Sequence, residues 1–87
     1  MKAVKIEMKE YDIYMEGDWS TGMDFPSKAR YLGKAYGNSF AEACSNFIKE
    51  NWGENDWKTY FHILDDGTPC AYSRMFETLE EAQKSFG

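Results

Sequence analysis

The alternation of polar and apolar positions changes its period several times along the chain, and each change predicts an element. In residues 3–8, Val4, Ile6 and Met8 alternate with Lys5 and Glu7, the period of a half-buried strand. Residues 11–15 alternate again, with Tyr11, Ile13 and Met15 now on odd positions. The phase flips near Lys9–Glu10. One bulged strand or two short strands would each produce the flip, because a single extra residue exchanges the two faces. Residues 16–28 have no period and include Gly17, Gly22 and Pro26, so they read as a loop. The loop is longer than an ordinary hairpin connection, and loops of that length commonly carry function. Residues 29–36 read as the return strand, in which Gly33 predicts a bulge or a close backbone approach.

The helical signal begins at Ser39. Ser39-Phe40-Ala41-Glu42 has the form of a capping box, with Ser39 and Glu42 placed to satisfy each other's free amides. Phe40, Ala43, Cys44, Phe47, Ile48 and Trp52 follow on one helical face, and Gly53 is a natural stop. Residues 54–56 read as a polar connector and residues 57–64 as a strand rich in aromatic and β-branched side chains. Asp65-Asp66-Gly67-Thr68 carries an Asp-Gly hairpin signal, and residues 70–76 return. Thr78-Leu79-Glu80-Glu81 is a second capping box, and Leu79, Ala82 and Phe86 mark a short final helix.

This order predicts an α+β fold of two ββα halves, giving an antiparallel sheet of about four strands with both helices on one face. Residues 1–87 form a single domain on this reading, with residues 1–53 as the first half and 54–87 as the second. Tyr14, Arg30, Tyr36, Tyr60, His62 and Tyr72 are then the candidate occupants of the open sheet face. Ser39 to Phe47 aligns with Thr78 to Phe86 through a shared pattern of hydroxyl, apolar, any, Glu, Ala, three of any type, Phe. Tyr11 to Gly17 lies less closely over Tyr60 to Asp66. An internal duplication and two independently capped amphipathic helices both account for this.

At 87 residues a single core is feasible but marginal. Six Phe, six Tyr and three Trp offset this by supplying much apolar area in few residues. The net charge of −5, with Lys and Arg scattered, lacks the basic cluster that a phosphate-backbone binder needs, so no nucleic-acid partner is expected. Two cysteines are too few for a secreted disulfide scaffold, the N-terminal residues have no signal-peptide pattern, and no apolar run approaches a membrane span. The expectation is a reduced, cytoplasmic protein with no membrane segment.

Candidate chemistry is sparse. Cys44, Cys70 and His62 are not spaced as zinc ligands, and Cys44 falls on the apolar helix face, where a thiol behaves as a small hydrophobe. Cys70 lies near Asp65 and Asp66, whose charges disfavour a thiolate. The acidic residues of the first 24 positions read as a solvated strand face, and the glycines form no phosphate cradle. The expectation is therefore no enzyme, no metal site and no cofactor. The aromatic loop is more informative. Trp19, Met23 and Phe25 stand among Gly and Asp as anchors for a partner, and aromatic residues are enriched at binding hot spots. Trp52 and Trp57 flank Gly53-Glu54-Asn55-Asp56 and read first as core closure. His62 lies on the open face if Phe61 and Ile63 face the helices.

Glu16-Gly17, Thr21-Gly22, Leu32-Gly33, Ser39-Phe40-x-Glu42-Ala43-Cys44, Arg74-x-Phe76 and the closing Glu81-Ala82-x-Lys84-Ser85-Phe86-Gly87 together resemble a family of small uncharacterised bacterial proteins, often encoded among phage and mobile-element genes. The segment around Lys49–Trp57 is longer here than in that family's shorter members. The resemblance implies a genomic setting and no activity. Two functions follow. The first is a non-enzymatic protein-interaction module binding through the Gly17–Lys28 loop and the open sheet face, with a homodimer through an edge strand as one form of it. The second is a small-molecule binder or small enzyme with a pocket between that loop and the sheet, using His62, Tyr60 and Arg74.

Overall fold

The computed structural model describes residues 8–17 and 28–85. Strand β1 (Lys9–Met15) pairs antiparallel with β2 (Arg30–Gly37). Ile13 and Met15 are buried and Tyr11 packs against them, as the alternation of residues 11–15 predicts. The register steps from Ile13↔Gly33 to Tyr14↔Tyr31, leaving Leu32 as the extra residue of a bulge. Gly33 therefore has both properties expected of it. It borders the bulge, and a Cβ there would lie 2.9 Å from the Phe47 ring, at a φ of +152°. The strand expected over residues 3–8 lies, apart from Met8, outside the described residues; Lys9 and Glu10, where the phase flip was expected, stand in β1 in regular register with Gly37 and Tyr36, and the one register shift of the pair comes at Ile13/Tyr14.

Helix α1 (Phe40–Trp52) starts where the sequence places its cap. The Glu42 amide donates to Ser39 Oγ at 3.2 Å, while the Glu42 carboxylate accepts from the Asn38 amide at 2.7 Å. The box thus closes one residue earlier than the Ser39–Glu42 pattern suggests. Ala43, Cys44 and Ile48 are fully buried and form one cluster with Ile13, Met15, Ala35, Ala71 and Met75.

Gly53 ends α1 at φ +96°, but the chain turns directly into a second helix, α2 (Glu54–Tyr60). The strand expected over 57–64 is confined to β3 (Phe61–Ile63). The aromatic composition of residues 57–60 suggested a strand, yet strand preference yields to packing context. Trp57 and Tyr60, three residues apart, both pack against the core, which a helix allows. Glu54 and Lys58 add an exposed pair at 3.6 Å, and Glu54 and Asp56 lie in the first turn, where acidic groups suit the helix dipole.

After β3, the Leu64 carbonyl accepts from the Gly67 amide, Gly67 takes φ +87°, and the Leu64 amide donates to the Thr68 carbonyl. This is a tight hairpin of the kind the Asp-Gly pair predicts. The return segment is not one strand. It breaks into β4 (Pro69–Ala71) and β5 (Ser73–Phe76), with Cys70 opposite Arg74, Ala71 opposite Ser73 and Tyr72 at the apex at φ +72°. Helix α3 (Leu79–Ser85) follows, with Thr78 Oγ1 accepting from the Glu81 amide at 3.1 Å.

The strand order is β2-β1-β5-β4-β3, all neighbours antiparallel. The fold is α+β, and two features depart from the expected pair of ββα halves. The break at Tyr72 makes five strands where about four were expected, and α2 makes three helices where two were expected, counted among the described residues. The main cluster is built on α1; Ala82 of α3 is also fully buried, and Ser85 Oγ donates to the Glu16 carboxylate.

Gly37 is the tightest point of the α1–β2 contact, since a Cβ there would lie 2.5 Å from the Ala43 backbone nitrogen. A Gly37→Ala substitution is expected to destabilise the fold by about 1–3 kcal/mol, the usual cost of overpacking. Thermal unfolding followed by circular dichroism would register this as a loss of roughly 4–8 °C per kcal/mol.

Candidate functional site

Trp19, Met23 and Phe25 lie outside the described residues. His62, the fourth candidate, is the central residue of β3 and pairs with Cys70. Phe61 packs against the core, so strand alternation projects His62 from the other face. Ile63, expected beside Phe61, is instead 47% exposed, because β3 is an edge strand. His62 Nδ1 lies 3.1 Å from the Tyr60 carbonyl oxygen. Its neighbours in a shallow depression are Asp65, Asp66 and Arg74. The Asp66 carboxyl is lowered chiefly by hydrogen bonding from Thr68, with Arg74 adding to this. The depression joins His62 and Arg74 but not Tyr60, whose ring stacks on Tyr72.

The outward residues of β1 and β2 form a more ordered surface. Tyr31 Oη donates to Asp12 Oδ1 at 3.0 Å, and Tyr36 Oη donates to Glu10 Oε2 at 2.9 Å. Lys34 stands between the two carboxylates, 3.6 Å from Glu10 and 3.7 Å from Asp12. The Lys34 ammonium is raised in pKa by Glu10 and then Asp12. The Tyr36 phenol is raised by its hydrogen bond to Glu10, and that of Tyr31 by desolvation and then by its bond to Asp12. Tyr31 and Tyr36 remain 47% and 54% exposed. Tyr14 rests against Tyr31, with ring centroids 5.0 Å apart. Arg30, expected on this face, turns its guanidinium to the sulfur of buried Met15 at 3.6 Å.

A second aromatic group closes the far end of the fold. Trp52 ends α1, Tyr60 ends α2 and Tyr72 is the apex between β4 and β5. Tyr60 and Tyr72 stack at 4.2 Å with 28° between their planes, and Trp52 lies 5.7 Å from Tyr72. Trp57 has a structural role, as expected. Its Nε1 donates to Ser45 Oγ at 2.8 Å, and Lys49 caps its ring at 4.9 Å. No local signal singles out Tyr72 from the other candidate open-face residues. Left-handed backbone is normally announced by Gly or Asn, and neither flanks it.

The thiols are poorly suited to catalysis. Burial, with a smaller contribution from Glu77, pushes the Cys44 thiol up to about 12. Cys70 is also raised by burial and by Glu16, with Arg74 opposing. Both are free. Among the described residues, no group of three or more His, Cys, Asp or Glu side chains is placed to hold a metal, and no helix is long and apolar enough to cross a membrane.

Comparison with known proteins adds no relative: no protein-family model matches the chain, and no curated protein and no solved structure matches it.

Cys44 is expected to resist alkylation at pH 8 in the folded protein and to react once denaturant exposes it, which mass spectrometry of the modified peptide would show. Its folded pKa of about 12 lies above the ordinary thiol value of 9.0. The unfolded chain therefore loses this proton first, and stability falls as pH rises between those values. A Cys44→Ala variant should lack that component of the slope in denaturant titrations.

Proposed function

We propose that this protein is a non-enzymatic protein-interaction module. The cytoplasm, and the phage or mobile-element setting that its resemblance implies, belong to the same proposal. The observation that carries the reading is the outward face of β1 and β2, where Tyr31 and Tyr36 stay exposed while hydrogen bonds to Asp12 and Glu10 fix their hydroxyls. Tyrosines held this way offer rigid amphipathic contact area at low entropic cost. The same carboxylates favour a partner with basic groups, in keeping with the net charge of −5. The 17–28 loop joins β1 to β2, so Trp19, Met23 and Phe25 belong to this reading as additional anchors. Among the described residues β2 is an edge strand of the sheet, and an edge strand offers the geometry a homodimer would use.

A specific observation also favours the second reading, a small-molecule binder or small enzyme. His62 and Arg74 share one depression with Asp65 and Asp66. That arrangement suits a small polar ligand more than a macromolecule.

The test is affinity capture with the native chain, a Tyr31→Ala, Tyr36→Ala variant and a Trp19→Ala, Phe25→Ala variant, each first shown to fold. A protein held by the native chain and lost from either variant is the expected result. Repeated failure of the native chain to retain any macromolecule, together with thermal stabilisation by a small molecule that disappears in His62→Ala, would replace this reading with the second.

A further inference from the structure

We infer that the depression beside β3 is a binding site for a free aliphatic α-amino acid, held as a zwitterion with its carboxylate at His62 and Arg74 and its ammonium at Asp65 and Asp66. This rests on the second reading above, the small-molecule binder, and names its ligand class.

Strand register builds the site. His62 stands opposite Cys70, and Cys70 stands opposite Arg74. Residues directly opposite in an antiparallel ladder share a face, so His62 and Arg74 project from the same side of the sheet, two strands or about 10 Å apart. That side faces away from the core, because Phe61, Ala71 and Met75 occupy the other. The turn after β3 brings Asp65 and Asp66 to the same depression. Its volume of about 470 Å³ is in the range of small-ligand sites.

The charges select the ligand. Arg74 lines the depression together with two aspartates, yet it forms no ion pair with either. Among the described residues, the Arg74 guanidinium and the Asp65 carboxylate have no hydrogen-bond partner. Asp66 Oδ1 accepts from the Thr68 amide at 3.0 Å, and His62 Nδ1 is engaged at the Tyr60 carbonyl, so Nε2 is the ring nitrogen for a ligand. Opposite charges that line one depression without meeting are satisfied together by a molecule that carries both. A phosphate or a simple carboxylic acid would face the aspartates, and a polyamine would face Arg74. A zwitterion avoids both penalties, and its carboxylate suits the paired N–H groups of a guanidinium. Ile63 and Leu64 border the same space, which favours an aliphatic side chain. The four charged or polar groups are exposed, so the expected dissociation constant is on the order of 1 mM.

His62 is the chain's only histidine, so its imidazole signals report on this site without overlap. The probe is L-leucine, titrated at constant pH into the full chain and followed by NMR. Two analogues are compared with it: N-acetyl-L-leucine, which lacks the ammonium, and L-leucinamide, which lacks the carboxylate. L-leucine is expected to move the His62 signals saturably, and each analogue to bind about fivefold more weakly. Arg74→Gln should weaken L-leucine and leave L-leucinamide unchanged. Asp65→Asn should weaken L-leucine and leave N-acetyl-L-leucine unchanged. Both side chains are exposed, so both variants should keep the native melting temperature. The analogue comparison on the native chain decides the matter even if a variant unfolds. Absence of saturation with L-leucine overturns the inference, as does equal affinity for either analogue or unchanged affinity for L-leucine in either folded variant. If another small molecule then stabilises the chain in a manner lost in His62→Ala, the second reading survives without this ligand. If none does, that reading falls as well. Neither result bears on the interaction reading, because Tyr31 and Tyr36 lie on β2, at the opposite edge of the sheet from β3.

Discussion

The close approach of α1 to β2 is the contact on which the rest of the structure depends. Gly33, Ala35 and Gly37 recur at every second position and so share one face of β2. Each is small, and the helix comes close enough that a Cβ on Gly37 would collide with the backbone at Ala43. The helix thereby brings Cys44 and Ile48 down onto Ile13, Met15 and Met75. Asn46 adds a directional tie, its Nδ2 donating to the Tyr36 carbonyl at 2.9 Å. A chain this short buries few side chains, and close packing of small residues lets those few make full contact.

That contact also sets what the protein shows to its surroundings. With Gly33, Ala35 and Gly37 turned to the helix, alternation turns Lys34 and Tyr36 outward, where they meet Glu10 and Asp12 of β1. The ordered polar–aromatic surface is the complement of the helix-packing face. A one-residue slip of β2 would bury Lys34 and expose Ala35, so core and surface are specified together. The bulge at Leu32 then resets the phase for the far part of the strand, bringing Tyr31 opposite Tyr14.

The far end of the fold follows from the length of α1 and the reversal at Gly53. Thirteen residues of helix carry Trp52 away from the capped end, and the positive φ of Gly53 sends α2 off in a new direction. The Trp57 bond to Ser45 pins α2 against α1, and Tyr60 is delivered to Tyr72. The two exposed aromatic surfaces therefore differ in character. On the sheet face the tyrosine hydroxyls are fixed by carboxylates, while at the far end the rings are fixed by one another.

The sequence by itself determined the elements whose causes are local. The caps at Ser39 and Thr78, the helical stripe from Phe40 to Trp52, the stop at Gly53, the Asp-Gly hairpin and the alternation of Tyr11, Ile13 and Met15 each depend on neighbours a few residues away. The class of the fold followed from their order. Only the tertiary structure decided the rest. Residues 57–60 have strand-like composition but became helical because the core accepts Trp57 and Tyr60 on one helical face. The return strand broke at Tyr72, a position that nothing in local sequence marks, because β5 must pair with both β4 and β1. The pairing of Glu10 and Asp12 with tyrosines about twenty or more residues away was equally hidden, since it rests on register across two strands. Local chemistry is readable along the chain, whereas register, strand breaks and side-chain partnerships arise from contacts that exist only after the chain has folded.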